Sequence, residues 1–327
     1  MLLSLDQIKD ITRGCARIEE QDQTFVLMRF TEKQAQAYRD IGNEDFYNKT
    51  FATAGVRLAF RTDSSKIAFD YRFTRCSSRQ FAYFDVYLDG ALTGHFGTQG
   101  LECMTGHIEL PIPAATEKVE IHFPWSHGVR LSHVEIDDNS TVTGLHRPHT
   151  MICFGDSITH GYDAIHPSLS YATRLATMLD ADYINKGIGG DIFFPALLAE
   201  AEGADPDYIT VAYGANDWHK CTAEEFEKNC RDFLSRIREL YPTSQIFVLT
   251  PLWHTLSHKV AKTGLTGIQF NAWIQEILRD YPTLHLINCY PMVPHRAEFF
   301  TDISHPNETC FAFLASNMYV AISKLLK

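Results

Sequence analysis

Four short clusters in the second half of the chain carry side chains that could perform acyl transfer. The first is Phe154-Gly155-Asp156-Ser157-Ile158-Thr159-His160-Gly161. It follows the apolar run Thr150-Met151-Ile152-Cys153-Phe154, which reads as a buried parallel strand. A serine with turn-forming neighbours at the end of such a strand sits where open α/β sheets place their ligands. Alone, Ser157 would be read as a helix N-cap. As a nucleophile its hydroxyl is weak, and it needs a base and a site for the oxyanion it creates.

Each helper has a candidate. Asn185-Lys186-Gly187-Ile188-Gly189-Gly190-Asp191 follows the second expected strand, and glycines there let the backbone approach a ligand and aim an N–H at it. Tyr213-Gly214-Ala215-Asn216-Asp217 follows the third, where the Asn216 amide can donate to a developing oxyanion. Asp302-Ile303-Ser304-His305-Pro306 precedes the last helix. Pro306 suits a first helical position, which puts His305 in the turn at that helix N-terminus. Asp302 can then accept from the imidazole Nδ1–H, fixing the tautomer and stabilising the imidazolium. Asp156 reads as turn support. Asn216, Asp217 and His305 each have an ordinary reading as turn or cap residues, and it is the co-occurrence of the clusters that favours chemistry. His254 and His258 have the spacing of a metal pair, but no third ligand lies nearby in sequence. No metal and no cofactor is expected.

In this order, after predicted strands, the clusters resemble the SGNH (GDSL-type) hydrolase family. Its blocks centre on a serine in G-D-S, a glycine, an asparagine in G-x-N-D and a histidine in D-x-x-H. The resemblance extends over residues 151 to 310. It implies that Ser157 attacks an acyl carbonyl, that His305 takes its proton and later gives it to the leaving alcohol, and that Asp302 orients His305. It also implies an oxyanion hole made by the backbone N–H groups of Ser157 and Gly190 and the Asn216 side chain. Gly190 is preferred to Gly189 because it precedes Asp191, matching the family's N-x-x-x-x-G-D spacing from Asn185. One departure follows the D-x-x-H-P-N phrase. The sequence there is Glu308-Thr309-Cys310, where the family often has an acidic residue, a variable one and a glycine. This touches helix packing and no catalytic group.

The elements that must position these residues fall into two regimes. Residues 1–140 read as an all-β sandwich or jelly roll, with turn signals about every ten residues. Val56, Leu58 and Phe60 alternate onto one face, and Asp89-Gly90 marks a hairpin turn. The stretch from Thr31 to Thr50 is polar and without a clear period, so it reads as a long connection with at most a helical turn at 32–38. Residues 141–149 read as a linker. From 150 to 327, strands alternate with amphipathic segments near 170–179, 195–202, 223–240 and 268–279, and a final helix runs from about 306 to 326. Phe226, Cys230, Phe233 and Ile237 recur at spacings of three and four. Five such units predict a five-stranded parallel sheet covered on both faces, and the resemblance implies that this is the α/β three-layer, flavodoxin-like fold of SGNH hydrolases.

The 327 residues suit two domains, and the 45% apolar and 21% charged contents are ordinary for a globular protein. A net charge of −11 argues against nucleic acid, since no basic excess exists to displace counterions. No apolar run approaches a membrane span. The N-terminus MLLSLDQIKD lacks a signal peptide's basic and long apolar regions, so a cytoplasmic protein is expected. Cysteines 15, 76, 103, 153, 221, 230, 289 and 310 are scattered without a C-x-x-C pair and read as reduced, buried thiols.

A front sandwich joined to an SGNH domain is similar to a two-domain group of carbohydrate acetyl esterases. It implies a small acyl group, acetyl, on a carbohydrate, with an oligosaccharide or small-molecule ester as partner. Trp218, His219, Trp253 and His254, after the third and fourth strands, are the candidate substrate-facing residues. Trp125-Ser126-His127 could reach the pocket if the domains pack closely. The alternatives are a lipid or thioester acyl hydrolase and, from another class, a carbohydrate-binding protein with an inactive hydrolase half. The oligomeric state is not legible.

Overall fold

The computed structural model describes residues 1–100, 104–203 and 205–326. Cys103 lies outside them. The other seven cysteines are unpaired, and all but the half-buried Cys15 are buried. No described helix is long and apolar enough to cross a membrane.

The front half is built on two antiparallel sheets. One runs in the order Thr12–Arg13, Arg57–Thr62, Val119–His122, Phe81–Leu88, Ala91–Gln99. The other runs Arg17–Gln21, Thr24–Met28, His127–Ile136, Lys66–Arg75, Thr105–Pro111. Leu58, Phe60, Phe69, Phe84 and Phe123 fill the space between them, as the alternation at 56–60 predicts. At the 88–91 hairpin Asp89 and Gly90 have φ of 49° and 82°, the left-handed pair that a tight hairpin turn requires.

Three features differ from the sequence expectation. A capped helix, Leu5–Ile11, precedes the first strand. The stretch read as a long connection is two helices, Glu32–Asp40 and Glu44–Lys49, capped by Thr31 and Asn43. Their inner faces carry polar groups such as Gln34 and Lys49, buried by hydrogen bonding, so no apolar period marks them. Phe30, Ala35 and Tyr38 join the core under the parallel sheet rather than that of the sandwich. Finally, part of the expected linker is a strand, Val142–Gly144, paired with Arg57–Thr62.

In the second half the central strand, His149–Gly155, is flanked by Ala181–Gly187 on one side. On the other lie Tyr208–Ala212, Gln245–Leu249 and His285–Ile287, all parallel. This strand order is flavodoxin-like. Alternate side chains face opposite layers. Ile152, Phe154, Val211 and Val248 meet the helices Ala223–Leu240 and Gly267–Leu278. Met151, Cys153, Phe247 and Leu249 meet Tyr171–Met178 and Glu308–Leu325. In Ala223–Leu240 the buried residues include Phe226, Cys230, Phe233 and Ile237, each apolar side chain worth about 1.5–3 kcal/mol on burial. The amphipathic segment expected near 195–202 is only a single 3₁₀ turn, Pro195–Leu198.

The halves are fastened by polar contacts. Arg57 Nη2 lies 2.5 Å from Asp182 Oδ1. The buried Asp85 carboxylate accepts from the N–H (2.9 Å) and hydroxyl (2.5 Å) of Ser168.

Candidate active site

Ser157 is the first residue of a one-turn helix, Ser157–His160, at the C-terminal end of the central strand. The cap role that Ser157 could have taken falls to Asp156, whose Oδ1 accepts the Ile158 N–H at 3.0 Å. Burial pushes the Asp156 carboxyl up to about 6, against that N–H and the nearby His305 and Lys220. Gly155 is required by space, because a Cβ there would lie 2.2 Å from Thr159 Oγ1 and 2.8 Å from the Ala212 carbonyl oxygen. The turn therefore presents the Ser157 hydroxyl above the sheet.

His305 Nε2 is 2.9 Å from Ser157 Oγ, and His305 Nδ1 is 2.7 Å from Asp302 Oδ2. With Nδ1–H on a carboxylate, Nε2 is the acceptor for the serine proton. The other Asp302 oxygen accepts the N–H groups of Ser304 (2.9 Å) and His305 (2.8 Å). Burial raises the Asp302 carboxyl, but these two N–H groups and the imidazole outweigh it and hold it at about 2. Pro306 is not the first helical residue as expected. Asn307 caps the last helix, its Oδ1 accepting from Cys310 N–H at 3.0 Å, so the base stands in a loop two residues ahead of the cap.

Three residues around the base were not singled out from sequence. Arg79, from the front half, donates from Nε to Asp163 Oδ1 (2.8 Å) and from Nη2 to Asp302 Oδ2 (3.0 Å). Asp163 Oδ2 also accepts from Thr301 Oγ1 (2.7 Å) and lies 4.0 Å from His305 Nδ1. Tyr162 stacks on the His305 ring, centroids 5.6 Å apart. Asp163 and Tyr162 follow the serine closely enough to be suspected. Nothing in the sequence marks Arg79, whose partners lie 84 and 223 residues away.

On the other side of Ser157, Asn216 opens the short helix Ala215–Lys220, and its Nδ2 lies 3.4 Å from Asp156 Oδ2. Asp217 is structural. Its two oxygens accept the N–H groups of Phe193 and Gly214, both at 3.0 Å, and burial pushes it up to about 7. In the glycine loop, Gly189 N–H donates to His160 Nδ1 (3.2 Å), Lys49 Nζ donates to Gly189 O (2.9 Å), and Lys220 Nζ donates to Gly190 O (2.5 Å). Gly190 has φ of 93°, a left-handed conformation that suits glycine. Asp191 accepts from Tyr38 Oη at 2.7 Å, and burial pushes it up to about 7.

Ser157 opens onto a cleft of about 350 Å³ lined by Asn216, Trp218, His219, His254, Leu256 and His305 among others. Three of the four candidate substrate-facing residues thus line it. Trp253 does not. Its ring stacks on His295 (5.2 Å, 9°) and packs against Phe300. Trp218 is nearly buried, its Nε1 donating to Leu265 O at 2.8 Å. Trp125-Ser126-His127 are buried and away from the cleft. Trp125 instead holds His160, which donates from Nε2 to the Trp125 carbonyl (2.9 Å).

Among the described residues two groups bring ligand-type atoms together: Asp85, His95 and His166, and Asp163, Asp302 and His305. In the second, the Arg79 guanidinium already bridges the two carboxylates, where a cation would sit. In the first, Asp85 is taken by His95 and Ser168.

The comparisons agree with this architecture. The family model for the GDSL-like lipase/acylhydrolase family matches residues 153–310. A search of curated proteins gives no match. A salicylyl-acyltransferase from a tetracycline biosynthetic pathway superposes with a TM-score of 0.81 at 21% identity, covering 96% of this chain and 94% of that one. A family two carbohydrate esterase from Cellvibrio japonicus gives 0.67 at 14% identity, covering 96% and 95%. An acetyl xylan esterase from the rumen bacterium Butyrivibrio proteoclasticus gives 0.64 at 16%, covering 99% and 97%. At these identities the likeness is one of fold, and it extends over both halves. Residues 153–310, the segment that carries Ser157, Asn216 and His305, match the GDSL-like lipase/acylhydrolase family, and the chain as a whole has the fold of an SGNH-type ester hydrolase with a β-sandwich in front.

Proposed function

We propose that the protein is a serine esterase that removes a small acyl group, acetyl, from a carbohydrate by way of an acyl-enzyme. The observation that carries the reading is the unbroken hydrogen-bond chain from Ser157 Oγ through His305 to Asp302, opening on a cleft. Ser157 Oγ attacks the ester carbonyl as its proton passes to His305 Nε2, and Asp302 stabilises the imidazolium. The N–H groups of Ser157 and Gly190 and the Asn216 amide receive the oxyanion. Collapse breaks the C–O bond, and the alcohol leaves with the proton from His305. Water then attacks the acyl-enzyme with His305 as base, releasing the acid and restoring Ser157.

The carbohydrate side is supported by the fold shared with the two carbohydrate esterases over both halves, and by Trp218, His219 and His254 in the cleft wall. Aromatic and imidazole faces suit sugar rings. The likeness to an acyltransferase, with a TM-score of 0.81, favours a second reading in which an alcohol replaces water at the acyl-enzyme.

The test is hydrolysis of p-nitrophenyl acetate against the octanoate, then of acetylated xylo-, manno- and gluco-oligosaccharides. Acetate is expected to be preferred, and Ser157→Ala to abolish turnover. Activity surviving in Ser157→Ala removes the nucleophile assignment, and an octanoate preference moves the reading to lipids. Acyl transfer outrunning hydrolysis when an alcohol is added would favour the second reading.

A further inference from the structure

We propose that Lys49, from the helical strap of the front half, is a positioning residue for the oxyanion hole. It acts by fixing the peptide unit that carries the Gly190 N–H. The inference rests on reading Gly190 as an oxyanion donor.

A peptide unit is planar and trans, so its C=O and N–H point in opposite directions. The Gly189 carbonyl and the Gly190 N–H belong to the same unit. Lys49 Nζ holds that carbonyl at 2.9 Å in a buried setting, which fixes the N–H to the opposite side. A cation on the carbonyl also draws electron density from the unit and makes its N–H a stronger donor.

The neighbouring groups leave little freedom. Gly189 N–H is taken by His160 Nδ1 and Gly190 O by Lys220 Nζ. Of the four backbone polar groups on Gly189 and Gly190, the Gly190 N–H has no acceptor among the described residues. Two glycines in a row would otherwise let this peptide unit rotate at small cost. A preorganised donor costs nothing to reorient as charge develops, whereas a mobile one does.

Lys49 is itself held in place. It is 6% exposed, pairs with Asp45 Oδ2 at 2.5 Å one helical turn back, and lies over the Phe46 ring at 5.3 Å. The Lys49 carbonyl accepts from Arg29 Nη2 at 3.0 Å, and the Arg29 guanidinium also binds the Asn185 and Gly187 carbonyls. The lysine and the glycine loop are thus referenced to one buried cation.

The experiment measures kcat and KM on p-nitrophenyl acetate for Lys49→Met, Lys49→Gln and Lys49→Arg, with Asn216→Ala as control and thermal melting of every preparation. Lys49→Met is expected to lower kcat about ten- to a hundredfold, less than the loss of a donor outright, with KM nearly unchanged. Lys49→Arg is expected to recover most of the loss. Lys49→Gln, which keeps a donor without the charge, should fall between, and it carries the test if the methionine variant does not fold. Wild-type kcat in Lys49→Met beside a crippled Asn216→Ala overturns the role of Lys49 and leaves the hole standing. A loss that only follows the unfolded fraction, or that Lys49→Arg does not repair, overturns it too. Full turnover in Asn216→Ala as well would overturn the oxyanion reading beneath it.

Discussion

The two sides of Ser157 are built in different ways. The base side, Asp302 to His305, is a short loop whose main bonds span three residues or fewer, and Asp302 is 39% exposed at its side chain. The glycine-loop side, proposed above as the oxyanion hole, is held from a distance by buried residues. Gly189 O is bound by a lysine 140 residues earlier, the Asn185 carbonyl by an arginine 156 residues earlier, and Asp191 by a tyrosine 153 residues earlier. A base must turn slightly to collect and return a proton, and a loop tolerates that. An oxyanion hole works by being in place before charge appears, and it is preorganised best inside a packed interface. The front half therefore does more than stand beside the catalytic half, since its strap residues form the back of the glycine loop.

The largest expected effect probes the base side. Asp302→Ala should lower kcat by about 10⁴-fold and move thermal unfolding only a little, because the carboxylate is exposed and, apart from the exposed contact with Arg79, its partners are local. A variant that loses activity by unfolding would erase the contrast drawn above. Next, Arg29→Met should destabilise the protein by about 2–4 kcal/mol, seen as a lowered urea midpoint, because several buried carbonyls lose their donor. Those carbonyls are of Ala52, Lys49, Asn185 and Gly187. An unchanged midpoint would mean that the oxyanion side does not depend on the strap.

The smallest effect lies in the cleft wall. Burial, with His219 and His258 as neighbours of like charge, pushes the His254 imidazole down to about 4. The folded protein then resists a proton that the unfolded chain accepts near pH 6.5. The contribution is fully present above about pH 6.5 and is lost as pH falls towards 4. His254→Asn should therefore gain stability relative to the unmodified protein as the pH is lowered through that window. Parallel pH–stability curves for the two proteins would show that the wall is wetter than the structure describes.

What the sequence determined alone is the short-range chemistry. The spacing of Asp302 and His305 already allows the observed 2.7 Å contact, since three residues of turn bring those side chains together whatever surrounds them. The strand before Gly155 and the period of Phe226, Cys230, Phe233 and Ile237 likewise signal their elements, because burial on one face leaves a pattern in residue type. Asn216, Trp218, His219 and His254 were legible as strand-end residues for the same reason, and all line the cleft. Trp253 was misplaced because strand-end position alone does not say which side of a turn a side chain takes.

Tertiary structure decided the rest. Residues 31–50 conceal two helices, since polar side chains buried by hydrogen bonds leave no apolar stripe. Arg79 on Asp302, and Lys49 and Arg29 behind the glycine loop, are joined to their partners only by the packing of one half on the other. Electrostatic and hydrogen-bond partners separated by more than a hundred residues leave no periodic trace in a single chain. The sequence could therefore mark Ser157, His305 and Asp302 as candidates for the reacting groups, and only the fold shows which residues hold the glycine loop in position.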